Sequence, residues 1–249
     1  MGYPKLFFDN RFADAAPSAS STASGNFNAA NVADMRPYTW WKSNGMPATL
    51  TVDCGSAKAA NFALVWGHDL FTHGATCEVR GSTDNFSSSN VLVASVTPTD
   101  NNPLVLEFNG ASYRYWRLRF TGSGNPSIAI AMIGTAFAMP IYMPAGFDPM
   151  KRAVVAQSNN NENGHSLGKI INFDNWKQTL KFIVPQAWLR STWQQAWRSN
   201  LRGSPFAFAW DSVNFPAELQ LVLAGDSYAS GHRAGGNADL SFDVSGVAQ

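Results

Sequence analysis

Three side chains that can bind a metal ion lie close together in the first half of the sequence. They are His68, Asp69 and His73. Imidazole and carboxylate groups are ligands for zinc, which takes them in a closed tetrahedral shell. The segment has the pattern of a turn between two strands, which does not aim residues 68 and 73 at one point as a helix would at i and i+4. We therefore expect an ordinary turn, and we predict no metal and no cofactor.

Ser227 is a second candidate for chemistry. The run Gly225-Asp226-Ser227 follows an apolar strand and resembles the nucleophile block of Gly-Asp-Ser esterases, in which this serine attacks the substrate. That family needs an oxyanion glycine, an asparagine and an Asp-x-x-His far downstream, whereas His232 is the one histidine after Ser227. We expect a hairpin loop here and predict that the protein is not an enzyme. Esterase activity remains the third of three functional hypotheses.

Charge gives little indication of a binding partner. Arg117 and Arg119 alternate on one strand face and would suit an anion, but such arginines more often cover neighbouring side chains with their stems, which we favour. The net charge of +1 argues against nucleic acid as a partner.

The apolar run 128–143 is shorter than the ~20 residues that span a bilayer, so we expect no membrane insertion. The first residues lack a signal-peptide pattern, which predicts synthesis in the cytosol.

Alternating apolar residues predict that most of the chain is β-strand. In the segment 113–122, Trp116, Leu118 and Phe120 share one face and charged residues share the other. Other strands with this alternation are predicted around Leu50, Leu64, Leu106, Ile130, Leu180, Phe208, Leu221 and Phe242. Cys54 and Cys77 lie at apolar positions of two predicted strands, which favours buried free thiols; a disulfide between them is the alternative.

A proline-rich segment divides the chain. Residues 1–140 are predicted to form one β-sandwich domain, 141–149 a semi-rigid linker with Pro144 and Pro149, and 150–249 a second β-rich domain. Apolar residues three and four apart from Leu189 to Leu201 predict an amphipathic helix over 186–201, which Gly203 ends. Trp193 and Trp197 are then core residues of that helix.

The first domain resembles the discoidin or coagulation-factor C-type family. The resemblance rests on the strand 113–122, the opening from Ala19 to Trp41, and the turn Gly67-His68-Asp69-Leu70. That turn is similar to the Gly-His-Asn-Leu turn of discoidin-like modules in bacteriophage tail proteins. The resemblance implies a jelly-roll β-sandwich that binds sugars, lipids or proteins.

The second domain resembles, more loosely, the small β-barrel domains of phage tail-tip and minor tail proteins. The match rests on the strand near Trp176, the helix ending at Arg202-Gly203, and the strand Phe206 to Trp210. It implies a domain that assembles with copies of itself and with other tail proteins.

Discoidin-like modules bind ligands through loops at one end of the sandwich. On this chain those loops are 36–45, 67–74 and 122–126. The resemblance implies ligand-binding roles for Tyr38, Trp41, His73 and Asn125, because aromatic faces with amide and imidazole donors suit a sugar. Trp40 is expected to pack inside.

Two hypotheses of different classes lead. The first is a non-enzymatic virion protein of a tailed bacteriophage, assembled in the host cytoplasm, that forms a ring at the tail tip or baseplate through its second domain. Its partners would be itself, as a cyclic homo-oligomer, other tail proteins, and a host surface glycan. The second hypothesis is a carbohydrate-binding module or lectin that recognises cell-surface glycans.

Overall fold

The computed structural model describes residues 2–246, and its architecture is mainly β with one long helix. The elements of the first half are β1 (Lys5–Phe7), α1 (Arg11–Asp14), β2 (Ser18–Ala19), a 3-10 helix (Ala29–Ala33), β3 (Trp41–Lys42), β4 (Ala48–His68), β5 (Thr76–Ser82), β6 (Val91–Val96), β7 (Leu104–Thr121), β8 (Ser127–Gly134) and β9 (Phe137–Ala138). Those of the second half are β10 (Arg152–Asn160), β11 (Ser166–Pro185), α2 (186–201), β12 (Phe206–Ala209), β13 (Leu219–His232) and β14 (Asn237–Gly246). The predicted fold class is confirmed.

The first domain is a β-sandwich whose two layers share two long strands. Residues 48–53 of β4 pair with residues 115–120 of β7, and residues 62–65 of β4 pair with residues 104–107 of β7. Between these blocks the register slips twice, which is how bulges let a strand bend from one layer into the other. β2, β5 and β6 extend the first layer, and β3 and β8 extend the second. The jelly-roll β-sandwich expected from the resemblance is therefore present.

The core of this domain follows the alternation of the sequence. Trp116, Leu118 and Phe120 are buried at 0% exposure, and they pack with Leu50, Val52 and Trp41 between the layers. Burying a large apolar side chain stabilises the fold by roughly 1.5–3 kcal/mol. The charged residues between them lie on the outer face of the sheet.

β8 is apolar along almost its whole length because both of its faces are covered. Ile128, Ala131 and Ile133 belong to the core of the sandwich, whereas Ile130 and Met132 pack against the second domain. The second domain contributes Ala207, Ala209, Leu219 and Leu221 to this contact, opposite Phe62, Leu64 and Trp66. The two domains therefore share an apolar interface.

The second domain is one antiparallel sheet with a helix across it, in the strand order β10-β11-β14-β13-β12-β1-β9. Helix α2 covers the predicted range 186–201, with α-helical turns alternating with two π-helical turns. Leu189, Trp193, Trp197 and Leu201 are buried against the sheet, which confirms their predicted core role. In β12, Phe206 and Phe208 face the helix side, and Ala207 and Ala209 face the first domain.

The structure differs from the predicted domain boundaries in two places. β1 pairs with β12 and β9, so residues 5–7 belong to the second sheet. The segment 141–149 is not a free linker, because Ile141, Met143 and Phe147 pack against the second core. The indole of Trp176 also donates to the carbonyl of Pro149 at 3.0 Å. An apolar segment that can reach a sheet gains more by packing than by staying solvated.

β10 and the first half of β11 form a two-stranded ribbon. Residues 152–160 pair with residues 166–176, while β14 pairs with β11 only from Lys177 onward. Along the ribbon, Val155 pairs with Phe173 and Ala156 pairs with Ile171. Phe173 is 45% exposed and Ile171 is 61% exposed. This extension carries unusually exposed apolar side chains.

The two cysteines are free. Cys77 is fully buried, and burial raises the pKa of its thiol to about 12. Cys54 is half-buried, and burial raises its pKa to about 11. The expectation of free thiols is confirmed for both cysteines, whereas the expected burial is complete only for Cys77.

Candidate functional site

Three loops meet at one end of the sandwich, as the resemblance implied. The backbone N–H of Ser43 donates to the Pro126 carbonyl at 3.0 Å, which joins the loop 36–45 to the loop 122–126. The N–H of Ser123 donates to the His73 carbonyl at 3.2 Å, which joins the loop 122–126 to the loop 67–74. These bonds hold the three loops as one surface.

Asp69 ties this surface to the start of β8. Its two carboxylate oxygens accept hydrogen bonds from the N–H and the hydroxyl of Ser127, each at 2.7 Å. The imidazole Nε2 of His73 lies 3.5 Å from Asp69 Oδ2, a contact that becomes an ion pair when the imidazole is protonated. Asp69 therefore fixes the position of His73 relative to β8.

Gly124 makes room for the His73 ring. A Cβ atom at position 124 would lie 2.4 Å from His73 Nδ1, closer than any real contact, and Gly124 also has a φ of +73°. Only glycine fits both the space and the left-handed backbone. The exposed Asn125 comes directly after it, so His73 and Asn125 lie on adjoining parts of this surface.

The two tryptophans of the first loop are placed the other way round from the prediction. Trp41 is 0% exposed, its ring centre lies 6.0 Å from that of Phe120 in the core, and its indole N–H donates to the Ser21 carbonyl at 3.2 Å. The assignment of Trp41 to ligand binding is therefore wrong, because its ring has no free face. Trp40, which was expected inside, is 40% exposed. Trp41 is the first residue of β3 and its side chain points into the sandwich, whereas Trp40 lies just before the strand.

The other predicted residues are accessible. Tyr38 is 64% exposed, Asn125 is exposed, and the His73 side chain is 26% exposed. Sequence reasoning missed Phe71, which lies in the predicted turn and is 51% exposed. Its N–H donates to Asn101 Oδ1 at 3.1 Å, so a fourth loop borders the surface. The signal that could have identified Phe71 is an aromatic residue within a polar turn.

His68 is separated from this surface by burial. It is 6% exposed, and burial lowers the pKa of its imidazole, which keeps the ring neutral. The N–H of Leu70 donates to its Nδ1 at 3.4 Å. Within residues 2–246, no group of three or more His, Cys, Asp or Glu side chains is arranged to hold a metal ion.

Ser227 lies in a strand rather than in a loop. It is within β13, where the pairing with β14 breaks between Ala224 and Tyr228. The ring of Tyr228 packs edge-on against Trp197 at 5.2 Å between centroids. The predicted strand from Leu219 is present, but the hairpin loop predicted over residues 225–231 is wrong, because this bulged segment continues β13 and Tyr228 anchors it to the helix. No hydrogen bond joins Ser227 to His232 among the contacts of the described chain.

No helix in the described part of the chain is both long enough and apolar enough to cross a membrane.

Comparisons with known proteins give matches in solved structures only. No model of a known protein family matches the chain, and no curated protein sequence matches it. A carbohydrate-binding module from Clostridium perfringens, CpGH89CBM32-5 in complex with GalNAc-beta-1,3-galactose, is 16% identical, with a TM-score of 0.44, and the match covers 51% of this chain and 99% of the module. Chitosan-binding module 1 of a Paenibacillus sp. IK-5 chitosanase/glucanase is 20% identical, with a TM-score of 0.44, over 50% of this chain and 97% of the module. The family 32 module of C. perfringens NanJ in complex with galactose is 18% identical, with a TM-score of 0.43, over 52% of this chain and 98% of the module.

Proposed function

We propose that this protein binds a carbohydrate, without catalysing a reaction, at the loop end of its first domain. One observation carries the proposal: three loops joined by hydrogen bonds carry exposed aromatic and polar side chains, and Asp69 bonds them to Ser127, the first residue of β8. A rigid surface loses little entropy when it binds a ligand.

The side chains on this surface suit a sugar. Tyr38 and Phe71 offer flat apolar faces for the C–H side of a pyranose ring. His73 and Asn125 offer hydrogen-bond donors and acceptors for its hydroxyl groups. A hydrogen bond to a ligand hydroxyl contributes about 0.5–1.5 kcal/mol, so a sugar held by two or three of them binds weakly and reversibly.

Titration calorimetry of the full chain with galactose, N-acetylglucosamine and glucose tests the proposal. We expect saturable binding of at least one sugar, and we expect Asn125→Ala to weaken it about two- to twelvefold, because a deleted hydrogen bond costs about 0.5–1.5 kcal/mol. Asn163→Ala is the matched control, since Asn163 is an exposed amide at the turn between β10 and β11.

The control variant should bind as the natural chain does. Absence of saturable binding for all three sugars, or equal binding by both variants, would remove the loop end as the site. Unchanged thermal melting of Asn125→Ala separates a lost contact from a lost fold.

We also propose, as a second candidate, that the protein is a structural component of a bacteriophage tail tip or baseplate and forms a ring through its second domain. The observation that favours it is the β10–β11 ribbon. Val154, Leu167 and Ile170 are 48%, 69% and 60% exposed, and the outer edge of β10 has no neighbouring strand in the described chain. Exposed apolar edges are sites where strands of another chain add.

Native mass spectrometry of the full chain tests this second candidate. We expect a single closed oligomer, and we expect Ile170→Lys to shift it toward monomer, since a lysine would have to be desolvated in the contact. Val213→Lys is the control, because Val213 is 65% exposed and lies outside the ribbon. A chain that is monomeric at high concentration, or an oligomer that Ile170→Lys leaves intact, would contradict the proposal.

A further inference from the structure

Three arginines gather on the outer face of the first layer of the sandwich. Arg80 on β5 is directly opposite Arg117 on β7, and Glu78 on β5 is directly opposite Arg119 on β7. Directly opposed like charges destabilise a pair of strands. The pairing of Arg80 with Arg117 therefore lowers the stability of the sheet at this point.

One carboxylate pairs with two of the three guanidinium groups. Glu78 Oε2 accepts from Arg80 Nε at 2.8 Å and from Arg119 Nη1 at 2.9 Å. The Arg80 guanidinium and then that of Arg119 lower the pKa of Glu78, so it is ionised at neutral pH. Three positive charges against one negative charge leave an excess of two at this cluster.

Arg117 carries the uncompensated charge. It forms no salt bridge with any residue in the described range 2–246. Burial lowers the pKa of Arg117, and so do the nearby charges of Arg80 and Arg119. A lowered pKa is expected for a guanidinium that has like charges around it and no carboxylate partner. A half-buried cation without an anion lacks the partner that would offset its lost hydration.

The Arg117 guanidinium is nevertheless held in place. Its Nε donates to Thr51 Oγ1 at 2.8 Å, and its central carbon lies 3.7 Å from the centre of the Phe86 ring. The loop that carries Phe86 is itself fixed, because Asp84 accepts from the N–H groups of Ser88 and Ser89 at 2.9 and 3.1 Å. Arg117 is thus a preorganised donor whose two terminal nitrogens have no hydrogen-bond partner within the described chain.

We propose that Arg117, flanked by Arg80 and Arg119, binds a single oxyanion carried by an acidic saccharide. The planar guanidinium matches a carboxylate or sulfate group with two parallel hydrogen bonds. The exposed amide of Asn90, whose oxygen is 2.9 Å from Arg80 Nη1, borders the cluster and suits sugar hydroxyls. The saccharide part of this inference rests on the proposed carbohydrate binding, whereas the oxyanion part does not.

Calorimetry of the full chain at low ionic strength with glucuronate, glucose and inorganic sulfate tests the inference. Glucuronate and glucose differ in the carboxylate at one ring position, so we expect glucuronate to bind at least about tenfold more tightly. Sulfate should compete with glucuronate, and added NaCl should weaken both.

Arg117→Gln should abolish glucuronate binding, and Arg117→Lys should restore only part of it, because an ammonium keeps the charge without the two-pronged geometry. Arg114→Gln is the control: Arg114 lies on the same strand, but it is paired with Asp53 at 2.8 Å. Arg117→Gln should melt close to the natural chain, since the relief of the like-charge contact with Arg80 offsets the lost contacts with Thr51 and Phe86.

The outcomes separate this site from the loop end. Glucuronate binding that survives Asn125→Ala but not Arg117→Gln supports the cluster, even if neutral sugars do not bind. Equal affinities for glucuronate and glucose, or a loss of glucuronate binding in Arg114→Gln as large as in Arg117→Gln, would overturn it. Sulfate binding without glucuronate binding would overturn the saccharide assignment.

Discussion

Replacing Trp41 by alanine should destabilise the protein far more than replacing its neighbour Trp40. Trp41 is 0% exposed and packs in the core of the sandwich, whereas Trp40 is 40% exposed. The sequence alone favoured the opposite placement, so this pair is a direct test of how the first loop enters the fold.

The magnitude follows from burial. Truncating a buried tryptophan to alanine costs about 3–5 kcal/mol, because the indole leaves a cavity that the surrounding strands fill only in part. The substitution also removes the hydrogen bond from the indole to the Ser21 carbonyl. For a chain of this size, such a loss lowers the melting temperature by roughly 6–20 °C. Trp40→Ala removes a half-exposed ring and should cost less than about 1 kcal/mol.

Urea denaturation followed by circular dichroism measures both variants against the natural chain. We expect Trp41→Ala to lower the midpoint with little change in the slope, which is the signature of a changed stability and an unchanged fold. The midpoint of Trp41→Phe should fall between those of Trp41→Ala and the natural chain, since phenylalanine refills most of the cavity. If Trp40→Ala lowered the midpoint as much as Trp41→Ala, the assignment of the two rings would be refuted.

Three further predictions test other features. Gly134→Ala should cost about 1–3 kcal/mol in urea denaturation, because its Cβ would lie 1.8 Å from the backbone oxygen of Asp9, whereas Gly110→Ala, with nothing within 4 Å, should be neutral. Cys77 should not react with a thiol reagent at pH 8 until the protein is unfolded, since burial raises its pKa to about 12; rapid reaction in the native state would contradict its burial. The Arg114 guanidinium, and then the Gly55 N–H, lower the pKa of Asp53 from 3.8 to about 2, so its stabilising effect should be present above pH 3.8 and disappear as the pH falls through 2. The difference in urea midpoint between the natural chain and Asp53→Asn should shrink over that range, and a constant difference would refute this.

Local pattern was enough to determine most of the elements. The alternation around Trp116 and the three-four spacing from Leu189 to Leu201 require only that apolar side chains share a face, and each is observed as predicted. The three predicted loops were also located from the sequence, because turn residues between strands mark where loops must lie, and the structure joins these loops by hydrogen bonds; their role in ligand binding stays a prediction. The accessible residues His73 and Asn125 are on these loops.

The tertiary structure decided which strands share a sheet, which of two neighbouring side chains is buried, and which residues lie opposite each other on paired strands. Nothing local to residues 5–7 indicates that β1 would pair with β12, more than 190 positions away. Trp40 and Trp41 have the same side chain, so only the packing of the two layers of the sandwich determines which ring is buried. The opposition of Arg80 and Arg117 likewise depends on the register between β5 and β7. Pairing partners and register are set by contacts distant in sequence, and for that reason the arginine cluster became visible only in the folded chain.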